Sequence, residues 1–272
     1  MLLRRDERGV IAIGQPSHAW LSGQLARAWG NDEFGRVEPY EEVCLGAEQH
    51  DIGMAAWDLE PTLNPETGLP HSFLEMPLHT HLELWTAGPR RLLRQSRYAA
   101  LLASIHGRRL YAKRDLNEMA PPDADAVREF LEVRRRFEEQ LLASLRADPA
   151  TAPAAAEEVV ARNGQLVSTW DFMSLALCLD YPPLTIPDVP TATDRVPLTL
   201  TPGRQHHQVH LEPWPFASPS LTVRCEGQRL SGPYASAGEL RDALTAAPWE
   251  TVELELVPSQ FRGTAGSPAA AR

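Results

Sequence analysis

The run Glu48-Gln49-His50-Asp51-Ile52-Gly53 places an imidazole directly before a carboxylate. Around it Val43, Ala47, His50, Asp51 and Met54 recur at i, i+4, i+7, i+8 and i+11, which is one face of a helix from about Tyr40 to Trp57. An ionised Asp on such an apolar face is costly to bury unless it is paired or bound to a metal. Adjacent side chains leave a helix about 100° apart, so His50 and Asp51 reach one ion only from an inward edge. An imidazole beside a carboxylate suits a divalent first-row ion, and the carboxylate can bridge to a second. The alternative for Asp51 is a salt bridge to an arginine, with His50 packed beside it.

Working outward, the same residue types recur on neighbouring helical stretches. Ser17 reads as the N-cap of a helix to about Gly30, on which His18, Leu21, Ser22 and Leu25 share a face. Ser96 caps a helix from Arg97 to about Leu110 that sets Ala99, Leu102 and His106 on one side. The last long helix, about Ala156 to Leu179, carries Val167, Asp171, Leu175 and Cys178 at inward spacing. His79-Thr80-His81 opens a helix that ends near Gly88-Pro89, and either histidine can face inward. The segment from Asp58 to Leu78 is long and rich in turn formers, yet interleaves Leu69, Phe73, Leu74 and Met76; it reads as a wall or lid over a site. His71 within it reads as a surface residue. Val127 to Arg146 is a charged amphipathic helix whose Arg134-Arg135-Arg136 run reads as a solvated face.

The expected fold is mainly α, with a short N-terminal β-hairpin over Met1–Ile13 and a smaller C-terminal antiparallel β-rich region. Residues 1–179 form the helical metal-binding domain. Residues 180–197, with Pro182, Pro183, Pro187 and Pro190, read as a linker. Strands follow at 198–201, 208–211, 221–224 and 252–256 within a β-rich region over 198–262. A helix from Ala237 to Ala246 lies among them, opened by Ser236 and Glu239. His206, His207 and His210 lack acidic neighbours at ligand spacing and read as surface or strand residues. Residues 263–272 read as a disordered tail.

Composition sets the outer bounds. A formal charge of −10 and a pI near 5.4 argue against a surface that holds a nucleic-acid backbone, while local basic clusters inside the acidic envelope leave room for a phosphorylated small-molecule substrate. No stretch approaches the roughly 20 apolar residues that cross a bilayer, and the start lacks the apolar core of a signal peptide. Cys44, Cys178 and Cys225 show no C-x-x-C spacing, which favours a reducing, cytoplasmic setting without structural disulfides or a thiolate zinc site.

Collected in order, His18, His50-Asp51, His81 (or His79), His106 and Asp171 read H…HD…H…H…D. That order, and the run His50-Asp51-Ile52-Gly53, resembles the HD-domain superfamily of metal-dependent enzymes in its dinuclear branch, over roughly residues 10–180. Trp57-Asp58, Ser104-Ile105-His106-Gly107 and Trp170-Asp171 also resemble an uncharacterised bacterial branch, which carries no known activity with it. The resemblance implies an HD-type helical domain around two divalent ions, iron, manganese or similar. His18, His50, Asp51 and Asp171 would hold one ion, with Asp51 as the catalytic bridge, and His81 and His106 would hold the other. A phosphohydrolase would use the metals to activate water, with Arg108, Arg109 and Lys113 binding phosphate. A di-iron oxygenase would use the same ligands for O₂, but such relatives tend to carry a lysine where Leu110 stands. Met54 occupies the place of a lysine found in many phosphohydrolase members, and the Gly-Tyr-Pro motif of the cyclic-dinucleotide phosphodiesterases is absent. The reading therefore favours hydrolysis of another small phosphoester, with the oxygenase and a metal-stabilised binding module as alternatives.

Overall fold

The computed structural model describes residues 1–205 and 207–259, so His206 and the expected tail at 263–272 lie outside the described residues. The chain opens with β1 (Leu2–Asp6), β2 (Gly9–Ile13), α1 (Gln15–Ala28), α2 (Tyr40–Gln49) and a short α3 (Ala55–Leu59). A two-strand ribbon, β3 (Leu63–Asn64) with β4 (Leu69–Pro70), leads to α4 (Leu78–Leu92), α5 (Arg97–Ala112), α6 (Pro121–Arg146) and α7 (Glu157–Leu179). Then come β5 (Leu184–Pro190), β6 (Arg195–Pro202), β7 (Gln208–Glu212), β8 (Leu221–Leu230), α8 (Ala237–Ala246) and β9 (Trp249–Pro258).

The fold is mixed α/β, which corrects the expectation of a mainly α chain. Seven strands form one sheet in the order β1-β2-β8-β9-β7-β6-β5. The sheet is mixed and not purely antiparallel, because β7 pairs with β9 in parallel. The N-terminal hairpin is no separate ornament: β2 pairs with β8, matching Val10 to Leu230 and Ile13 to Gly227. Leu2, Ile13, Leu25, Trp170, Leu198 and Leu254 belong to one continuous apolar core, so sheet and helices are packed together.

Further local readings change. The proline-rich segment 180–197 holds β5 and the start of β6. Proline lacks the N–H for an interior ladder but is tolerated on an edge strand, and β5 is the sheet's outer edge. The helix expected over Tyr40–Trp57 stops at Gln49 and resumes at Ala55, with a 3₁₀ turn over Ile52–Met54 between them. Ser17 lies inside α1, whose N-cap is Gly14; its hydroxyl instead bonds the Glu226 backbone in β8 at 2.8 Å.

Gly53 explains the tight passage of that 3₁₀ turn. It lies against Gly88 and the Leu84 carbonyl of α4, where any Cβ would overlap backbone. Gly88 and Pro89, read as the end of a helix, are interior to α4. On α6, Arg134 is fully buried, whereas Arg135 and Arg136 are exposed and paired with Glu132. One side chain of the run thus lies in the interior, contrary to its reading as a solvated face.

Candidate metal centre

Four helices bring five of the six expected ligands together. α1 supplies His18 in its first turns, α5 supplies His106 and α7 supplies Asp171. His50 and Asp51 come from the break after α2, where His50 is the C-cap and Asp51 leaves helical geometry at φ −99°, ψ 14°. The break lets adjacent side chains turn to a common point, which an unbroken helix does poorly. All five are buried.

The Nε2 atom of His18 lies 2.7 Å from Asp51 Oδ2 and 4.0 Å from Asp171 Oδ1. His50 Nε2 lies 3.2 Å from Asp171 Oδ1 and 3.7 Å from Asp51 Oδ2. His106 Nε2 lies 3.6 Å from Asp171 Oδ2. Donors about 2.1 Å from a common ion stand roughly 3–4 Å from one another, so the spacing is of the right order. Two buried triads could hold an ion, His18/His50/Asp51 and His50/His106/Asp171.

Each imidazole is oriented from behind. Ser174 donates its hydroxyl proton to the Asp171 carbonyl at 2.9 Å, so it accepts from His18 Nδ1 at 2.8 Å. Ser22 donates to Ser174 at 2.8 Å and completes that support. His50 Nδ1 donates to the Ala47 carbonyl at 2.7 Å. Ser168 donates to the Gly164 carbonyl at 3.2 Å and accepts from His106 Nδ1 at 3.3 Å. In neutral rings these bonds place the proton on Nδ1 and aim the Nε2 lone pair inward, as metal-binding imidazoles require.

Three lone pairs and two carboxylates then face one another, an arrangement that holds only with positive charge among them. Protons can supply it. Burial, the largest influence on His50, opposes the imidazolium, but Asp51 and Asp171 together raise it to about 9. Burial pushes Asp51 upward and is outweighed by His50 and His18, so its carboxyl is held well below the usual range. Asp171 is likewise lowered by His106 and His50 against its burial. Burial dominates at His106 and lowers it to about 4. A divalent ion supplies the same charge with better geometry, so the donor set fits a metal.

The other expected site residues do not join this cluster, although His81 lines the same cavity. His81 is not among the convergent ligands: Trp85 Nε1 donates to its Nε2 at 2.8 Å, and its Nδ1 bonds Tyr111 Oη. His79 is exposed and faces Asp123 at 3.6 Å, on a separate cavity of about 850 Å³ between α4 and α6. Arg108 pairs with Glu138 at 2.7 Å, Arg109 bonds Gln165 at 3.1 Å, and Lys113 is the exposed C-cap of α5. None of these three cations lines the cavity at the centre.

That cavity measures about 420 Å³ and has His18, Asp51, His106 and Asp171 on its wall. Phe73, Leu74, Met76, Leu110, Phe172 and Leu175 make most of the rest apolar. Gln15, Trp85, Tyr111 and Arg114 also line it and were not singled out from the sequence. Ser22 and Ser174 had a readable signal, since they lie at i+4 from His18 and i+3 from Asp171 on the ligand faces of their helices. Gln15 and Arg114 had none. Among the described residues, no helix is long and apolar enough to cross a membrane.

No curated protein and no solved structure matches the chain. A family described as "Protein of unknown function (DUF3891)" matches residues 1–232, most of the chain, and the protein belongs to that family.

Proposed function

We propose that the protein is a metal-dependent hydrolase acting on a small phosphoester, with one divalent ion held by His18, His50, Asp51 and Asp171 and flanked by His106. The observation that carries this reading is the convergence of five buried acceptors, each imidazole locked with its Nε2 inward, at a cavity of substrate size. The ligand order shared with the HD-domain superfamily supports it. One ion replaces the expected two, because both triads draw on the single Nε2 of His50, and Trp85 occupies His81.

When bound, such an ion lowers the pKa of a water and stabilises charge on phosphoryl oxygens. The chain supplies the rest. Ser174, Ser168 and the Ala47 carbonyl fix the ring orientations, and Asp51 and Asp171 supply the negative charge that draws the cation in. Phe73, Met76 and Trp85 restrict bulk water at the cavity. Arg114, in place of Arg108, Arg109 and Lys113, is the cation on the substrate's side.

The test is elemental analysis of protein purified without added metal, with phosphate release measured over a panel of phosphoesters. The expected result is about one manganese, iron or related ion per chain, with release that Asp51→Ala abolishes together with the metal. Stoichiometric iron with oxygen uptake and no phosphate release would overturn the hydrolase in favour of an oxygenase. Absence of metal under every loading condition would leave only a binding module.

A further inference from the structure

Three polar groups on the cavity wall keep a donor or acceptor that no described residue takes up, and together they describe a ligand. The first follows from the bonds around His81. An indole N–H can only donate, so Trp85 fixes His81 Nε2 as an acceptor. The ring proton is then on Nδ1 and is donated to Tyr111 Oη. Burial favours this neutral ring, lowering His81 to about 4. Tyr111 therefore keeps its own O–H, which has no acceptor among the described residues, and Tyr111 lines the cavity.

The second is Gln15, which is 3% exposed and lines the same cavity with its Oε1 unpartnered. Its backbone N–H is tied to the Asp58 carboxylate, which holds the first turn of α1 in place. The third is Arg114, which is solvent-exposed at the cavity mouth and is the one arginine or lysine among its lining residues. Its guanidinium stacks 4.4 Å from the Tyr111 ring centroid and has no carboxylate partner among the described residues. Two donors, one of them charged, thus stand with a side-chain amide on a surface that is otherwise largely apolar.

We propose that the cavity binds a phosphate monoester of a small apolar or aromatic alcohol that also carries a hydroxyl group. Its phosphoryl oxygens take the Tyr111 O–H and Arg114, and its hydroxyl meets the side-chain amide of Gln15. A single cation and about 420 Å³ suit one phosphate and a compact carbon body, and not the chain of charges on a nucleoside triphosphate. His81 acts through Tyr111 as a positioning residue, with Trp85 setting its tautomer. The inference rests on the hydrolase reading for the phosphorus chemistry and on Tyr111, Gln15 and Arg114 for recognition.

The experiment is calorimetric titration of the purified protein, with the metal it carries, using phosphonates that cannot be hydrolysed. (4-Hydroxyphenyl)phosphonate should bind at least about tenfold tighter than ATP or inorganic phosphate. Tyr111→Phe should weaken it about tenfold, the scale of one hydrogen bond to a charged group. Gln15→Leu should weaken the hydroxylated phosphonate while leaving phenylphosphonate unchanged, a pattern that general loss of structure does not produce. Trp85→Phe should weaken binding in the native background and add nothing in the Tyr111→Phe background. ATP binding as tightly as the aryl phosphonate, or a folded Tyr111→Phe protein of unchanged affinity, would overturn the proposal. Tyr111-dependent binding without hydrolysis of any ester would count against the hydrolase and uphold the recognition set. Hydrolysis indifferent to Tyr111, Gln15 and the size of the carbon part would do the reverse.

Discussion

Replacing Arg134 with methionine should stabilise this protein. The guanidinium is fully buried, and its Nε, Nη1 and Nη2 have no hydrogen-bond partner among the described residues. The carboxylate of Glu138 lies nearby, but its oxygens are taken by Ser104 Oγ at 3.0 Å and Arg108 Nε at 2.7 Å. Burial first and repulsion from Arg90 second lower the Arg134 pKa to about 10. A buried donor without an acceptor costs ~1–3 kcal/mol, and a charged one more. Stacking offsets part of this, with the guanidinium carbon 5.1 Å from the Phe137 centroid and 5.9 Å from that of Phe130, a contribution of ~1 kcal/mol. Methionine fills similar space without donors, and Glu138 keeps Arg108. The balance favours Arg134→Met by ~2 kcal/mol, or roughly 4 °C in Tm for a chain of this size. Thermal melts followed by circular dichroism measure it. A lower Tm would refute the reasoning and show that the guanidinium holds an acceptor, such as a buried water or an anion.

Other outcomes follow from the same geometry. Gly53→Ala should destabilise by about 3 kcal/mol, since its Cβ meets the backbone of α4 and not a side chain that can swing away; a melt within 1 °C of the native protein, roughly the measurement error, would contradict it. Chelation should lower Tm, and metal at ~100-fold above its Kd should add about 2.7 kcal/mol to the unfolding free energy, read in the same melts. His81 titrates near 4 in the fold against an ordinary 6.5, so between those values the unfolded chain binds the extra proton. Its penalty is absent above about pH 6.5 and grows as pH falls to about 4, reaching about 3 kcal/mol. A series of urea melts across that window should show a shallower acid loss in His81→Gln, and an unchanged slope would count against the buried neutral ring.

Five residues of the buried cluster were legible because a polar residue on an apolar helical face is a local signal. His18, His106 and Asp171 each show it within their own helix, and His50-Asp51 shows it despite the break that follows. His81 shows a similar pattern, but its fate is decided by Trp85 one turn on and by Tyr111 on another helix. Arg134 differs from Arg135 by a single step of about 100° around α6, which the charge run conceals. Arg108 and Arg109 stand within α5 and face Glu138 and Gln165, whereas Arg114 lies beyond the helix end and turns back over Tyr111. The sheet was the least legible feature. Pairing of β2 with β8 leaves no trace in either strand alone, and prolines disguise β5 because an edge strand needs only half of its N–H groups.

The junction of β2 with β8 has a consequence in time. A ribosome delivers Val10 early and its partner Leu230 late, and at roughly 5–20 residues per second the wait is on the order of ten to forty seconds. For that interval Leu2, Ile11 and Ile13 are apolar residues of a nascent hairpin whose neighbouring strand has not been made. All five residues of the buried cluster, by contrast, have emerged once Asp171 is out, well before β8. On the proposed reading, a cation bound there would gather α1, α2, α5 and α7 while the sheet is still incomplete, giving the early part of the chain something to fold around until its last strands arrive.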